Sequence, residues 1–350
     1  MGVETFFEVA VIEGLEPVAA QELHHRLGDQ VRLFYPAGQY PGVIQFVYGG
    51  TPHNLLNLKT VLSLFWVMRF PAPRPRALLG HQALQMIFER TDEIRKFWPK
   101  TAFKTLYLAA AGSDSGVMER IAAEIAAHNE LTVTREEGDL LVRLRRPLDG
   151  SPGWEIALRM APRPLSVRPW RVCDLKGALN AAVAQAMVQF TRPRSEDVFL
   201  NIGCGSGTLL IERATSAPVR EAIGCDTDPT ALECAGANVT ASKQGARIRL
   251  EPWDARSLPL STSSVDVICA DLPFGHDVGS HMDNLALYPL LLQEAARVAR
   301  PAARCVFLTH EIRLMSDLLE NSPEWKIEEV IQISLTGLHP KIYIVERMKQ

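Results

Sequence analysis

Val198-Phe199-Leu200-Asn201-Ile202-Gly203-Cys204-Gly205-Ser206-Gly207-Thr208 carries a short apolar strand into a glycine-rich turn that opens a helix. Glycine lets the backbone approach a ligand closely, and a helix N-terminus offers unpaired N–H groups. A dinucleotide site would space its glycines as G-x-G-x-x-G. Here Gly203, Gly205 and Gly207 alternate. Alternating glycines suit an adenosyl ligand without a pyrophosphate, which points to S-adenosylmethionine. Asn201, Gly203, Gly205, Ser206, Gly207 and Thr208 are therefore the first cofactor-binding candidates.

Strand-like runs recur after this loop at Ala222–Asp226, Arg247–Glu251, Val265–Ala270 and Cys305–Thr309, with helical patterns between. That alternation predicts a parallel, doubly wound α/β sheet of the Rossmann-like type. Two final runs, Ile327–Leu335 and Ile342–Arg347, have no helix between them and predict an antiparallel hairpin on the sheet edge, for seven strands in all. Asp226 ends the second strand, where a carboxylate can accept both ribose hydroxyls of an adenosine, with Thr227 beside it. Capping of the next helix by Asp226 or Asp228 is the competing reading. Asp254 and Ala255 follow the third strand, within reach of an adenine amino group.

Asp271-Leu272-Pro273-Phe274-Gly275 follows the fourth strand. In an open parallel sheet this loop lies at the carboxyl ends of the strands, where ligands bind. Its composition suits methylation of an exocyclic amine, a poor nucleophile because its lone pair is delocalised into the ring. The Asp271 carboxylate and the Leu272 carbonyl can hold the two amino hydrogens and aim the lone pair at the methyl donor. The carboxylate also stabilises the positive charge growing on nitrogen and can take the departing proton. Phe274 can stack on a flat base. Asp271, Leu272, Pro273 and Phe274 are the catalytic candidates.

Upstream, Phe6–Val11, Val18–Leu27, Val31–Phe34, Val43–Tyr48 and an amphipathic helix near Leu55–Val67 make a compact β-α-β-β-α unit, closed by the proline-rich linker Pro71–Arg76. A second unit follows: helix Ala77–Arg90, strand Thr105–Ala111, helix Met118–Ala127 and strands Leu140–Arg145 and Trp154–Met160. The net charge of −3 divides unevenly, about +2 up to Arg171 and about −5 beyond it. Between Arg69 and Lys104 eight basic residues face three acidic ones. The interleaved Phe70, Phe88, Phe97, Trp98 and Phe103 are read as core. Arg143, Arg145, Arg146, Arg159, Arg163, Arg168 and Arg171 form a second basic set. Such density fits phosphate contacts, and Arg74, Arg76, Arg143, Arg163, Arg168 and Arg171 are the candidates, with a solvated surface position equally open for each.

No apolar run reaches the ~18 uncharged residues of a membrane span. Leu55–Phe70 comes nearest but is broken by Lys59, and the acidic N-terminus argues against a signal peptide. No membrane association and a cytoplasmic location are expected. The cysteines (Cys173, Cys204, Cys225, Cys234, Cys269, Cys305) form no C-x-x-C pair. They are read as small buried hydrophobes in a reducing compartment, with no metal site.

Asp271–Gly275 resembles the D/N-P-P-Y/F signature of amino-methylating enzymes, in the variant of RNA guanine-N2 methyltransferases that carry a THUMP domain. Arg168-Pro169-Trp170-Arg171 with Leu175-Lys176-Gly177-Ala178-Leu179, Cys204–Thr208 with Glu212, Leu287-Tyr288, and His339-Pro340 resemble further landmarks of that family. Gly14-Leu15-Glu16 and the two small α+β units resemble its N-terminal domains more weakly. Two departures stand out: Asn201-Ile202-Gly203 replaces the usual Asp-Pro ahead of the glycine loop, and Leu272 replaces the first proline of the commoner signature. The resemblance implies three domains: 1–72, ferredoxin-like; 73–165, a THUMP RNA-binding domain; and 166–350, a class I methyltransferase. It also implies S-adenosylmethionine as cofactor and methylation of a guanosine N2 in tRNA, in the acceptor-stem region. A monomer is expected, with the need for a small activating partner protein left open. The competing readings are an adenine-N6 or protein-glutamine methyltransferase, and a non-catalytic RNA-binding protein with a decayed cofactor pocket.

Overall fold

The computed structural model describes residues 4–273, 281–335 and 337–349. The chain folds into two compact units, Met1–Val11 with Ala19–Ser166, and Ile12–Val18 with Val167–Gln350.

In chain order the first part contains β1 (Glu4–Ala10), α1 (Glu16–Leu27), β2 (Val31–Leu33), β3 (Val43–Tyr48), β4 (Ser63–Phe70), α2 (His81–Arg95), β5 (Thr105–Ala110), α3 (Gly116–Asn129), β6 (Thr132–Thr134), β7 (Leu140–Arg145) and β8 (Trp154–Arg159). The strands form one sheet in the order β2-β3-β1-β4-β8-β7-β5-β6. Pairing of Phe65 with Arg159 through Phe70 with Trp154 carries this sheet across the Pro71–Arg76 stretch without a break. Side chains alternate across a strand. Phe7 and Val9 of β1 therefore join a core with Leu23, Ile87 and Ile121 from the three helices, while Phe6 packs with Phe65, Val67 and Ala157 on the other face. That second face also buries Glu8 and Glu155, both paired with Arg145. Phe70 and Phe103 lie in the core as expected, and Phe88, Phe97 and Trp98 pack against it.

The amphipathic helix expected near Leu55–Val67 is absent. A short 3₁₀ segment, Pro52–Asn57, precedes β4, which lies between β1 and β8. Seven of the eight β4 residues are buried. A strand covered on both faces loses its period-2 signal, and from sequence it cannot be told from a buried helix.

The second part contains α4 (Ala181–Phe190), β9 (Val198–Ile202), α5 (Thr208–Ser216), β10 (Glu221–Cys225), α6 (Pro229–Ser242), β11 (Ile248–Glu251), β12 (Val265–Asp271), α7 (His281–Val298), β13 (Ala299–Thr309), α8 (Ile312–Glu320), β14 (Trp325–Gln332) and β15 (Lys341–Arg347). The sheet order is β11-β10-β9-β12-β13-β15-β14. The first five strands are parallel, and β15 and β14 close the edge as an antiparallel hairpin, as the sequence predicts. All of β9 is buried, as expected of a central strand under helices on both faces. Strand order reverses between β9 and β12, the switch point at which such sheets bind ligands.

Four cysteines are buried free thiols, but Cys173 and Cys234 form a disulfide with Cα atoms 5.4 Å apart, against the all-thiol expectation. Sequence spacing carries no sign of it. The two residues are 61 positions apart and meet only because the segment before α4 folds back onto α6.

Candidate active site

The sheet register aligns the expected site residues. Ile202 is level with Cys225 on one side and with Ala270 on the other. Gly203, Asp226 and Asp271 therefore leave three adjacent strands at the same height. Cys225 is in turn level with Glu251, which sends Pro252 to Ala255 out beside them.

The glycine loop is held in a left-handed conformation at Gly203, Gly205 and Gly207 (φ +60°, +50° and +80°). The reasons differ along the loop. A Cβ on Gly205 would meet nothing within 4 Å, so only the backbone angle demands glycine there, and open space lies in front of it. A Cβ on Gly207 would sit 3.3 Å from the Ala235 Cβ, where the start of α5 passes α6. Asp226 Oδ2 accepts the Gly205 amide at 2.9 Å, and Oδ1 accepts the Asp228 amide at 3.0 Å. Each oxygen retains a lone pair for a ligand hydroxyl. The helix cap falls to Asp228, whose Oδ1 accepts from Thr230 N at 2.9 Å, and Thr227 beside it is exposed. A half-open carboxylate, a cradle without side chains and a helix N-terminus together fit an adenosine-bearing ligand.

Other candidates are placed differently. The Ser206 and Thr208 hydroxyls are buried 3.3 Å apart, and Thr208 Oγ1 accepts from Arg171 Nη2 at 2.9 Å. Asn201 is buried within the sheet. Its Nδ2 donates to the Cys269 carbonyl at 3.1 Å, and its Oδ1 has no partner among the described residues. The Asp254 carboxylate is gripped by the Arg256 guanidinium at 2.6–3.0 Å, which lowers its pKa, and Ala255 packs against the core.

Asp271 ends β12. Its Oδ1 is buried with no hydrogen-bond partner among the described residues, although the residue as a whole keeps some surface. Burial pushes its pKa up to about 7. Beyond it, Leu272 N donates to the Leu308 carbonyl at 2.9 Å. The Pro273 carbonyl accepts from Asn284 Nδ2 at 3.0 Å and from Tyr288 Oη at 2.9 Å. Among the described residues nothing donates to the Leu272 carbonyl. The two acceptors expected to hold an amine are thus an unsatisfied pair between fixed neighbours. Phe274 lies outside the described residues.

The buried Cys204 and Cys225 thiols beside the loop are pushed up, Cys225 to about 12, so neither is a nucleophile at neutral pH. Two further residues were not legible beforehand. Asn238 accepts the Val172 and Cys173 amides on Oδ1 and donates through Nδ2 to the Cys173 and Ser206 carbonyls, all at 2.9–3.0 Å. It lies one helical turn from Cys234, so both bind the segment before α4 to the cofactor loop's neighbour. Glu311, just before α8, joins Asn284 at 3.1 Å.

The expected RNA contacts divide. Arg74, Arg76 and Arg163 are exposed. Arg143 lies 4.1 Å over the Phe65 ring and 3.9 Å from the buried Glu8. Arg168 and Arg171 do not fit the phosphate-contact reading. Arg168 is buried against Glu212 at 2.8 Å, and Arg171 is held by the Leu179 carbonyl, Thr208 and Asp174. The buried ion pair with Glu212, not a phosphate, accounts for Arg168.

A search of family models finds the RMKL-like methyltransferase domain over residues 168–341. That match covers just under half of this chain. Among curated proteins, this chain is 32% identical over 185 residues to mouse tRNA (guanine(6)-N(2))-methyltransferase THUMP3, covering 49% of this chain and 37% of the mouse protein. It is 28% identical over 208 residues to tRNA (guanine(6)-N2)-methyltransferase of Thermus thermophilus, covering 59% of this chain and 61% of that one. This chain thus spans less than two thirds of either relative. This chain also resembles the crystal structure of TrmN from Thermus thermophilus, with a TM-score of 0.76 over 99% of this chain and 100% of that one, at 20% identity. That likeness is one of fold.

Proposed function

We propose that this protein methylates the N2 amine of a guanosine in tRNA with S-adenosylmethionine as donor. The observation that carries the reading is the unsatisfied Asp271 oxygen, followed by a Leu272 carbonyl to which no described residue donates, at the switch point and level with the glycine loop. When bound, the cofactor supplies an electrophilic methyl group. Asp226 would hold its ribose, and the loop from Gly203 to Gly207 would lie against it. Asp271 accepts one amino hydrogen and the Leu272 carbonyl the other, which turns the nitrogen lone pair toward the donor. The Asp271 carboxylate then stabilises the charge on nitrogen and takes its proton.

The names of the relatives support tRNA as the RNA and guanosine 6, in the acceptor stem, as the nucleotide. Residues 1–72 and 73–165 would be the ferredoxin-like and THUMP parts that grip it, with 166–350 as the catalytic domain. The exposed Arg74, Arg76 and Arg163 would serve as phosphate contacts. The test is to incubate the protein with the donor and unmodified tRNA, DNA or peptide, and to analyse digests by mass spectrometry. N2-methylguanosine from tRNA is expected. N6-methyladenosine, methylglutamine or no product would overturn the proposal, and absence of donor binding by calorimetry would favour a non-catalytic RNA-binding protein.

A further inference from the structure

We infer that Asn284 and Glu311 are positioning residues for the amine-holding loop, and that Glu311 acts by fixing which way the Asn284 amide points. The inference rests on the assignment of Asp271 and Leu272 above.

Among the described residues the loop is tethered at few points. Leu272 N is bonded to the Leu308 carbonyl, but the next residue is proline and has no N–H to give. The next fixed atom is the Pro273 carbonyl, which can only accept. Asn284 Nδ2 lies 3.0 Å from that oxygen and 3.1 Å from Glu311 Oε1, so both amide hydrogens meet acceptors. Rotating the amide by half a turn would set Oδ1 against the same two acceptors. In the observed orientation Oδ1 is buried and has no partner among the described residues. A lone buried acceptor is unfavourable, so the nitrogen end dictates the arrangement, and Glu311 supplies half of its demand.

Tyr288 gives the same carbonyl its second bond. Because Pro273 O accepts, Tyr288 must donate to it at 2.9 Å. Thr309 then donates to the Tyr288 oxygen at 2.7 Å, and Glu311 N donates to Thr309 Oγ1 at 2.9 Å. Backbone and side chain of residue 311 therefore sit behind the two donors to Pro273. His281, from the start of α7, bonds the Glu311 carboxylate at 2.9 Å from the solvent side.

The test compares Asn284→Ala, Glu311→Ala and Glu311→Gln in the full chain. The readouts are kcat and KM on tRNA, donor affinity by calorimetry, and hydrogen exchange of the Leu272 amide without ligands. Loss of Asn284 or of the Glu311 acceptor should lower kcat roughly 10²-fold, the scale of a small misplacement of reacting groups, with KM and donor affinity little changed. Leu272 exchange should rise roughly tenfold or more. Glu311→Gln keeps an oxygen that can accept from Asn284 and should recover most of both effects. Equal damage in the Gln and Ala variants would overturn the inference in favour of a role for charge. Unchanged kcat and exchange in the Ala variants would overturn it outright. Should the Glu311 variants fail to fold, Asn284→Ala and Tyr288→Phe carry the test. Should the wild type make no N2-methylguanosine, the functional proposal falls, and the exchange measurement still decides whether these residues hold the loop.

Discussion

The Gly205 amide donates to the Asp226 carboxylate across 2.9 Å, so the acid at the end of β10 shapes the glycine loop at the end of β9. One side chain thus orders the backbone cradle, and in the proposed function its remaining lone pairs would also receive a ribose. Asp226→Ala removes both. Donor affinity should fall roughly 10- to 100-fold, the range for losing charge-assisted hydrogen bonds. Asp226→Asn should fall between the two, and kcat at saturating donor should change little. Calorimetric titration with S-adenosylmethionine checks this, and wild-type affinity in Asp226→Ala would place the ribose elsewhere.

Asp271 should control the rate. Asp271→Ala should leave donor binding intact and lower turnover ~10²–10⁴-fold, as removal of a general base does. The pH profile adds a second check. Only the ionised carboxylate can accept both the amine hydrogen and the proton, and burial pushes its pKa up to about 7. Activity should therefore fall as the solution is acidified through pH 7, well above the usual carboxylate range. An acidic limb below pH 5 would show that Asp271 is not the titrating base.

The same burial has a stability consequence of opposite sense. Folded Asp271 keeps its proton up to about pH 7, whereas the ordinary value is 3.8. The raised value contributes stability that is fully present below about pH 4 and is lost as pH rises through 7. Asp271→Asn cannot ionise, so it should match wild type at pH 4 and exceed it at pH 8, by ~4 kcal/mol at most. Urea unfolding at the two pH values measures the difference, and a gap that is the same at both would mean the carboxyl is solvated.

Some parts of this molecule could be read from the chain and others could not. The methyltransferase sheet was legible because each strand is a short apolar run followed by punctuation, as at Ile202-Gly203 and Asp271-Leu272-Pro273. β4 does not read as a strand because burial on both faces erases its alternation. The strand-end positions of Asp226 and Asp271 are legible because the spacing of the strand runs reveals them. The roles of Asn284, Glu311 and Asn238 depend on contacts between elements, and a residue type common on any surface gives no hint of them. Arg168 shows the converse limit, since a basic residue in a basic stretch reads alike whether it faces phosphate or a buried Glu212.

The Cys173–Cys234 bond closes a 61-residue separation. By loss of chain entropy in the unfolded state such a link contributes about 4 kcal/mol. A phosphine reductant, or Cys234→Ser, should lower the unfolding free energy of the intact protein by up to that amount. The Asn238 bonds to residues 172 and 173 remain in either case, so donor affinity should suffer less than stability. Identical denaturation curves with and without reductant would show that the crosslink adds nothing.

Arg168 and Arg163 separate a structural role from an RNA-binding one. Arg168→Ala leaves Glu212 as an uncompensated charge inside the fold, which costs about 3–5 kcal/mol. The folded fraction should still bind tRNA with the wild-type salt dependence, because the guanidinium is buried against Glu212. Arg163 is exposed. Arg163→Ala should leave stability within about 0.5 kcal/mol. If that side chain neutralises a phosphate, the slope of log affinity against log salt should become shallower by about 0.9. Filter binding across a salt series, alongside denaturation of both variants, reads the two effects independently. A reduced slope in Arg168→Ala would return that arginine to the RNA interface. An unchanged slope in Arg163→Ala would remove residue 163 from it.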